Sequence, residues 1–210
     1  MRRTAVVLGG TGLIGRHLCA SVADSPAWEK VIAVVRRRDE KLPARIEQRI
    51  VPDFTRLADA LLDVAAEDLF ICIGTTRKQA GSKEAFRRVD LEYPLAAART
   101  LMLRDLEHVL VISALGADLH SPFFYNQVKG RLEAELQALP VGHLTVFRPS
   151  LLLGERQSAR PLERISGQLG QWLGRLLGGA AARWAPVDAE VVAQSMLTHA
   201  LDVHRQKSRP

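Results

Sequence analysis

The chain is poor in sulfur and in aromatic residues, and it has no long apolar run. Two cysteines occur in 210 residues, at positions 19 and 72, which excludes a disulfide framework and offers no metal-ligand spacing. Both fall within apolar stretches, one helix-like and one strand-like, and are expected as buried reduced thiols. Aromatic residues are only 5% of the total, and no basic stripe interleaves with them, so the mark of a nucleic-acid surface is missing. No apolar run approaches the ~20 residues of a membrane-spanning helix. The opening Met-Arg-Arg imitates a secretion signal, but glycines interrupt the apolar residues after it. Arg16 and His17 then follow in place of a cleavage site, so a cytoplasmic protein is expected. Internal repeats and low-complexity segments are also lacking. Acidic residues are in deficit, 23 against 29 Lys and Arg for a net charge of +6, which suits an anionic ligand.

Strand and helix signals alternate along the chain. Apolar strands are expected at 4–8, 30–35, 46–51, 69–73, 108–112 and 144–147. Helical spacing falls at 13–22, 57–65, 83–103 and 123–139. Strands that are apolar throughout and separated by helices predict an α/β fold, a doubly wound parallel sheet covered on both faces. The whole chain, 1–210, is expected to form one domain. Within 155–186, Leu162, Ile165, Leu169, Trp172, Leu173, Leu176 and Leu177 suit one helix face. This short C-terminal segment could dock on the core, cap a substrate pocket or form a dimer surface. A closing helix at 186–201 and a frayed tail from His204 complete the expectation.

Four glycines cluster where the first strand meets the first helix, in "VLGGTGLIGRH". Gly9, Gly12 and Gly15 form G-x-x-G-x-x-G. In that context one glycine allows the turn, another admits a pyrophosphate to the main chain, and the last lets helix pack on strand. Thr11, Leu13 and Ile14 complete the cradle, because unpaired N–H groups and the dipole at a helix start favour a phosphate. The second strand ends in "VVRRR", where an NAD-binding protein would place an acidic residue. Arg36 and Arg37 are suited to a 2′-phosphate, since guanidinium is planar and permanently charged. The expected cofactor is therefore NADP(H) rather than NAD(H). Asp53, after the third strand, is placed to meet the adenine. Gly74 and Thr75, after the fourth, pass beside the nicotinamide half, because ligands bind at strand C-termini.

Ser113 ends the fifth strand, and Tyr125-Asn-Gln-Val-Lys129 follows. Tyrosine and lysine four apart share a helix face. Bringing a phenol from near 10 toward neutrality takes about 4 kcal/mol of differential interaction, which an adjacent ammonium in a dry site can supply. Such a tyrosine can act as general acid for a carbonyl, with Ser113 donating a hydrogen bond to the same oxygen.

The glycine motif, YxxxK and the upstream serine together resemble the short-chain dehydrogenases/reductases of atypical or extended type. The stretches "IGTTRKQAGSKEAFRRVDLEYP", "FFYNQVKGRLEAEL" and "FRPSLLLGERQSARPLE" resemble more narrowly the Tat-interacting-protein group. The resemblance implies an NADPH-binding Rossmann domain with Tyr125, Lys129 and Ser113 as catalytic set. By the same resemblance Lys129 also bonds the nicotinamide ribose, and Arg148 with Pro149 lines the substrate side of the cofactor. Asp90 stands nearest to the position where many superfamily members carry a relay asparagine. The segment after Gly154 is short beside the substrate domain of sugar-nucleotide epimerases, which favours a small carbonyl substrate. The group also implies an alternative, a cofactor-sensing regulator acting through a protein partner. Helices around 83–103 and 122–139 often pair two subunits in this fold, which makes a homodimer an expectation too.

Overall fold

A computed structural model of the chain describes residues 3–150, 152–153 and 187–207. Six parallel strands form its sheet: β1 (Arg3–Leu8), β2 (Trp28–Val35), β3 (Glu47–Ile50), β4 (Asp68–Ile71), β5 (His108–Ile112) and β6 (His143–Phe147). Their order is β3-β2-β1-β4-β5-β6. The chain thus winds outward from β1 to β3, returns to the middle, and winds the other way from β4 to β6. The crevice between the C-terminal ends of β1 and β4 is the point where the winding reverses, the place where such sheets receive ligands.

Side chains alternate across each strand and feed two cores. Val6 and Leu8 point into one, with Leu57, Leu61, Leu69, Phe86, Leu101 and Leu132. Ala5 and Val7 point into the other, with Leu18, Val22, Trp28, Phe70, Leu110 and Met196. The first is closed by α2 (Leu57–Leu61), α4 (Lys83–Arg87), α5 (Tyr93–Met102) and α6 (Phe124–Gln137). The second is closed by α1 (Leu13–Asp24) and α7 (Ala189–Lys207). Each large apolar side chain so buried contributes about 1.5–3 kcal/mol. A short helix, α3 (Arg77–Ala80), and a two-residue parallel pair, β7 (Leu152–Leu153) with β8 (Val187–Asp188), complete the described elements.

Two expectations need correction. The helix expected over 83–103 is interrupted by a π-helical turn at Arg88–Glu92. Pro94 explains it, because proline withholds the N–H that the carbonyl of residue 90 would otherwise accept. The tail expected to fray is instead helical through Lys207. His204 holds it, its Nε2 lying 3.0 Å from Oδ1 of the fully buried Asp68. The segment 155–186, expected as a cap, lies outside the described residues.

Asp68, at the start of β4, is the hub of the sheet's N-terminal end. Its carboxylate accepts from Arg3 Nε at 3.0 Å, from Trp28 Nε1 at 2.8 Å and from His204. Burial opposes its charge, but the bonds from His204 and Arg3 outweigh burial and hold it below the usual carboxylate range. His108 beside it is fully buried, with Nε2 2.8 Å from Thr145 Oγ1. Burial pushes the imidazole down to about 4, against the pull of Asp68.

Candidate active site

The glycine turn has the shape its sequence implied. Gly9 adopts φ +93°, and a Cβ there would stand 2.5 Å from the Ile73 nitrogen, just beyond β4. At Gly15 a Cβ would come within 2.2 Å of the Gly9 carbonyl oxygen, so only glycine lets α1 seat this closely on the turn. Gly12 caps α1, donates its N–H to Gly9 O at 2.9 Å and provides no side-chain acceptor for the helix start. No acidic residue occupies that first turn either. Thr11 and Gly12 are exposed and Leu13 half-buried, whereas the Ile14 side chain is in the core and only its backbone can face a ligand. Two backbones held in contact beside a helix start that has no side-chain cap make a cradle that fits a pyrophosphate.

Arg36, Arg37 and Arg38 follow β2 directly and are exposed. The next residue, Asp39, is engaged within the fold by Arg16 of α1 and accepts the Lys41 N–H at 3.0 Å. Partial burial works against its charge, but the Lys41 amide and Arg16 hold its carboxyl below the usual range. Asp53 lies beyond β3 as expected. Its carboxylate accepts the Thr55 N–H at 2.9 Å, capping a one-turn 3₁₀ helix (Phe54–Arg56), and that bonding holds it below the usual range.

Across the crevice, β4 leads into Gly74 and Thr75, and β5 into Ser113. Ser113 is buried, its N–H is bonded to Phe147 O at 2.7 Å, and its hydroxyl has no partner among the described residues. Lys129 on α6 is also buried. Its Nζ lies 2.9 Å from Asp90 Oδ1 and 3.4 Å from Ile112 O, one residue before Ser113. Tyr125 sits one turn earlier on α6, partly exposed, its ring edge-on to Phe86 at 5.7 Å. Phe86 also meets Phe124 at 5.6 Å, which docks α4 on the first turn of α6. The fold therefore gathers Gly74, Thr75, Ser113 and Lys129 at one end of the sheet, with Tyr125 on the helix that covers it.

Arg148 is placed differently from the simple expectation. It follows β6, but its guanidinium forms a bidentate pair with Glu133 of α6, Nε to Oε1 at 3.0 Å. Asp90, which the resemblance sets nearest to the relay asparagine, is held tightly within the fold. It is 1% exposed, and its Oδ2 accepts the Thr75 N–H at 2.8 Å. Its signal was present, a carboxylate where an amide is common, but the partner was not visible. Cys19 is buried as expected and its thiol is pushed up to about 12 by burial, whereas Cys72 is half-buried rather than buried, its thiol likewise pushed up; both are free. Among the described residues no group of His, Cys, Asp and Glu could hold a metal, and no helix is long and apolar enough to cross a membrane.

Residues 5–123 match the model of the NAD dependent epimerase/dehydratase family. Over 205 residues the chain is 33% identical to the rat (Rattus norvegicus) protein HTATIP2, covering 94% of this chain and 81% of that one. It is 34% identical over 162 residues to protein FMP52-1, mitochondrial, of Scheffersomyces stipitis, covering 76% and 71%. Among solved structures, a UDP-glucose 4-epimerase superposes with a TM-score of 0.71 at 13% identity, covering 96% of this chain and 73% of that one. The Bordetella bronchiseptica enzyme WbmH in complex with NAD+ superposes with a TM-score of 0.69 at 12% identity, covering 94% and 72%. With the glycine cradle, the buried serine and the tyrosine–lysine helix in their places, the chain belongs to the NAD dependent epimerase/dehydratase family as a Tat-interacting-protein-like, NAD(P)-binding Rossmann protein.

Proposed function

We propose that the protein is an NADPH-dependent oxidoreductase that reduces a small carbonyl compound. The observation that carries this reading is the Ser113 hydroxyl, buried beside the lysine's end of the crevice and lacking a partner among the described residues. A buried donor left unpaired costs about 1–3 kcal/mol, so its retention is explained by a ligand oxygen that completes it. The bound cofactor supplies the hydride. Ser113 donates a hydrogen bond to the carbonyl oxygen, Tyr125 delivers the proton that oxygen needs, and Lys129 holds the nicotinamide ribose. The 2′-phosphate preference is supported by Arg36 and Arg37, exposed at the end of β2. It is supported also by Asp39, whose carboxylate is already engaged and so poorly placed to receive a ribose hydroxyl. The cytoplasm is the compartment proposed for it; the fungal relative is named mitochondrial.

Titration of protein fluorescence with NADPH and NADH tests the cofactor. NADPH should bind at least ~10-fold more tightly, and Arg36→Ala with Arg37→Ala should erase most of that preference. Equal affinity in the wild type would overturn the assignment. NADPH consumption with a panel of small aldehydes, ketones and quinones tests the reaction, and Tyr125→Phe should lower turnover by about 10²-fold or more with NADPH affinity retained. Tight cofactor binding without turnover across the panel would favour the cofactor-sensing regulator.

A further inference from the structure

Asp90 and Lys129 form a buried ion pair, with Lys129 one turn after the candidate tyrosine on α6. Gly74 makes room for it, since a Cβ there would come within 3.3 Å of Asp90 Oδ1 and 4.0 Å of Lys129 Nζ. The π-helical turn carries Asp90, and its second oxygen is fixed by the Thr75 N–H. With side-chain exposures of 4% and 1%, the two charges face each other with little water between them and their surroundings. To a phenol one helical turn away, an ammonium so paired is a dipole rather than a net positive charge, and its pull on the phenolate is correspondingly weak.

We propose that Asp90 is a positioning residue that sets how much of the Lys129 charge reaches Tyr125, keeping Tyr125 as the protonated phenol. An asparagine here would hold the lysine in place but leave its charge unbalanced. The site is thereby biased toward giving a proton to a carbonyl and away from taking one from an alcohol. That catalytic meaning rests on the carbonyl-reductase reading, whereas the charge effect on one phenol does not. Among the described residues, other charged groups lie around the first turns of α6, Arg87 and Arg131 among them. Lys83 of α4 lies over the Phe124 ring at 5.5 Å. Asp118, in the loop after β5, donates its N–H to Asn126 O at 3.1 Å.

The chain has two tyrosines, Tyr93 and Tyr125, so Tyr93→Phe leaves Tyr125 as the only one. Phenylalanine preserves the edge-on packing of residue 93 against Phe54 at 5.6 Å. In that background the phenolate absorbance of Tyr125 can be titrated directly, with neither cofactor nor substrate present. Asp90→Asn should move the midpoint down by about one unit or more. An unchanged or raised midpoint would overturn the proposal, whatever the enzyme assays show. If Asp90→Asn does not fold, Lys129→Met and the Asp90→Asn/Lys129→Met double variant replace it. A lone carboxylate should then raise the midpoint by about one unit over the double variant, and identical midpoints would refute the idea. Loss of turnover in the wild type would refute the reductase reading without touching this result.

Discussion

The two ends of the sheet treat their polar groups in opposite ways. At the N-terminal end Asp68 gathers Arg3, Trp28 and His204 from distant parts of the chain, and the carboxylate is fully used. At the C-terminal end the Ser113 hydroxyl is left without a partner among the described residues, the start of α1 has no side-chain cap, and three arginines face solvent. One end is organised to hold the molecule together, the other to hold something else. The difference teaches that an unpaired group marks function by where it stands as well as by being unpaired: the buried His108 Nδ1 at the closed end also lacks a hydrogen-bond partner among the described residues, whereas Ser113 borders the crevice.

Breaking the closed end should have the largest effect. Asp68→Ala leaves the Trp28 N–H and His204 without their acceptor and Arg3 with Glu107 alone. The unfolding free energy from denaturant titration should fall by about 3–5 kcal/mol, while NADPH affinity of the folded fraction holds. A loss below about 1 kcal/mol would remove Asp68 as the hub. The next effect is a pH dependence of the same end. His108 is depressed in the folded state to about 4, so between about 6.5 and 4 the unfolded chain takes a proton that the folded chain refuses. Stability should therefore be full above 6.5 and decline by about 3 kcal/mol as pH falls to 4. Asp68 adds a further loss only below the ordinary carboxylate range, since its own shift is downward. Denaturant midpoints of wild type and His108→Gln across that window check this, because the variant should show a flatter curve. The smallest effect on stability belongs to the open end. Ser113→Ala should leave the unfolding free energy unchanged or slightly raised, since an unpaired buried hydroxyl is removed. Carbonyl reduction by the same variant should drop by about 10²-fold. A clear destabilisation would mean that Ser113 has a structural partner.

The open end was far more legible in the sequence than the closed one, for a physical reason. A phosphate cradle is made by neighbours in the chain, so Gly9, Gly12 and Gly15 declare it within seven residues, and Tyr125 and Lys129 are one helical turn apart. The doubly wound parallel sheet also followed from local signals, because apolar strands alternating with helices admit few windings. Asp68 stands just before the strand expected at 69–73, and nothing in its neighbourhood marks it. Its partners lie 65, 40 and 136 positions away, and no local pattern connects them. The same distance hid why His204 extends the last helix. Asp90 was visible as an unusual residue, but its pairing with Lys129 depends on a π turn, and that turn depends on Pro94. Arg148 shows the converse failure, since its position after β6 was right while the Glu133 pairing was not foreseeable.

The bridge between β7 and β8 has a consequence for how this fold can be altered. Leu152 is in register with Val187, and Leu153 with Asp188, so these two stretches lie side by side as a neck about 5 Å wide. Below the neck, α7 runs down the sheet and is moored at its far end by His204. Closing a loop between two such fixed ends costs only about 0.6 kcal/mol more in entropy for each doubling of its length. Segments of quite different size could be spliced between Leu153 and Val187 while the cofactor frame stays as it is, which makes this neck a natural grafting point for new substrate recognition.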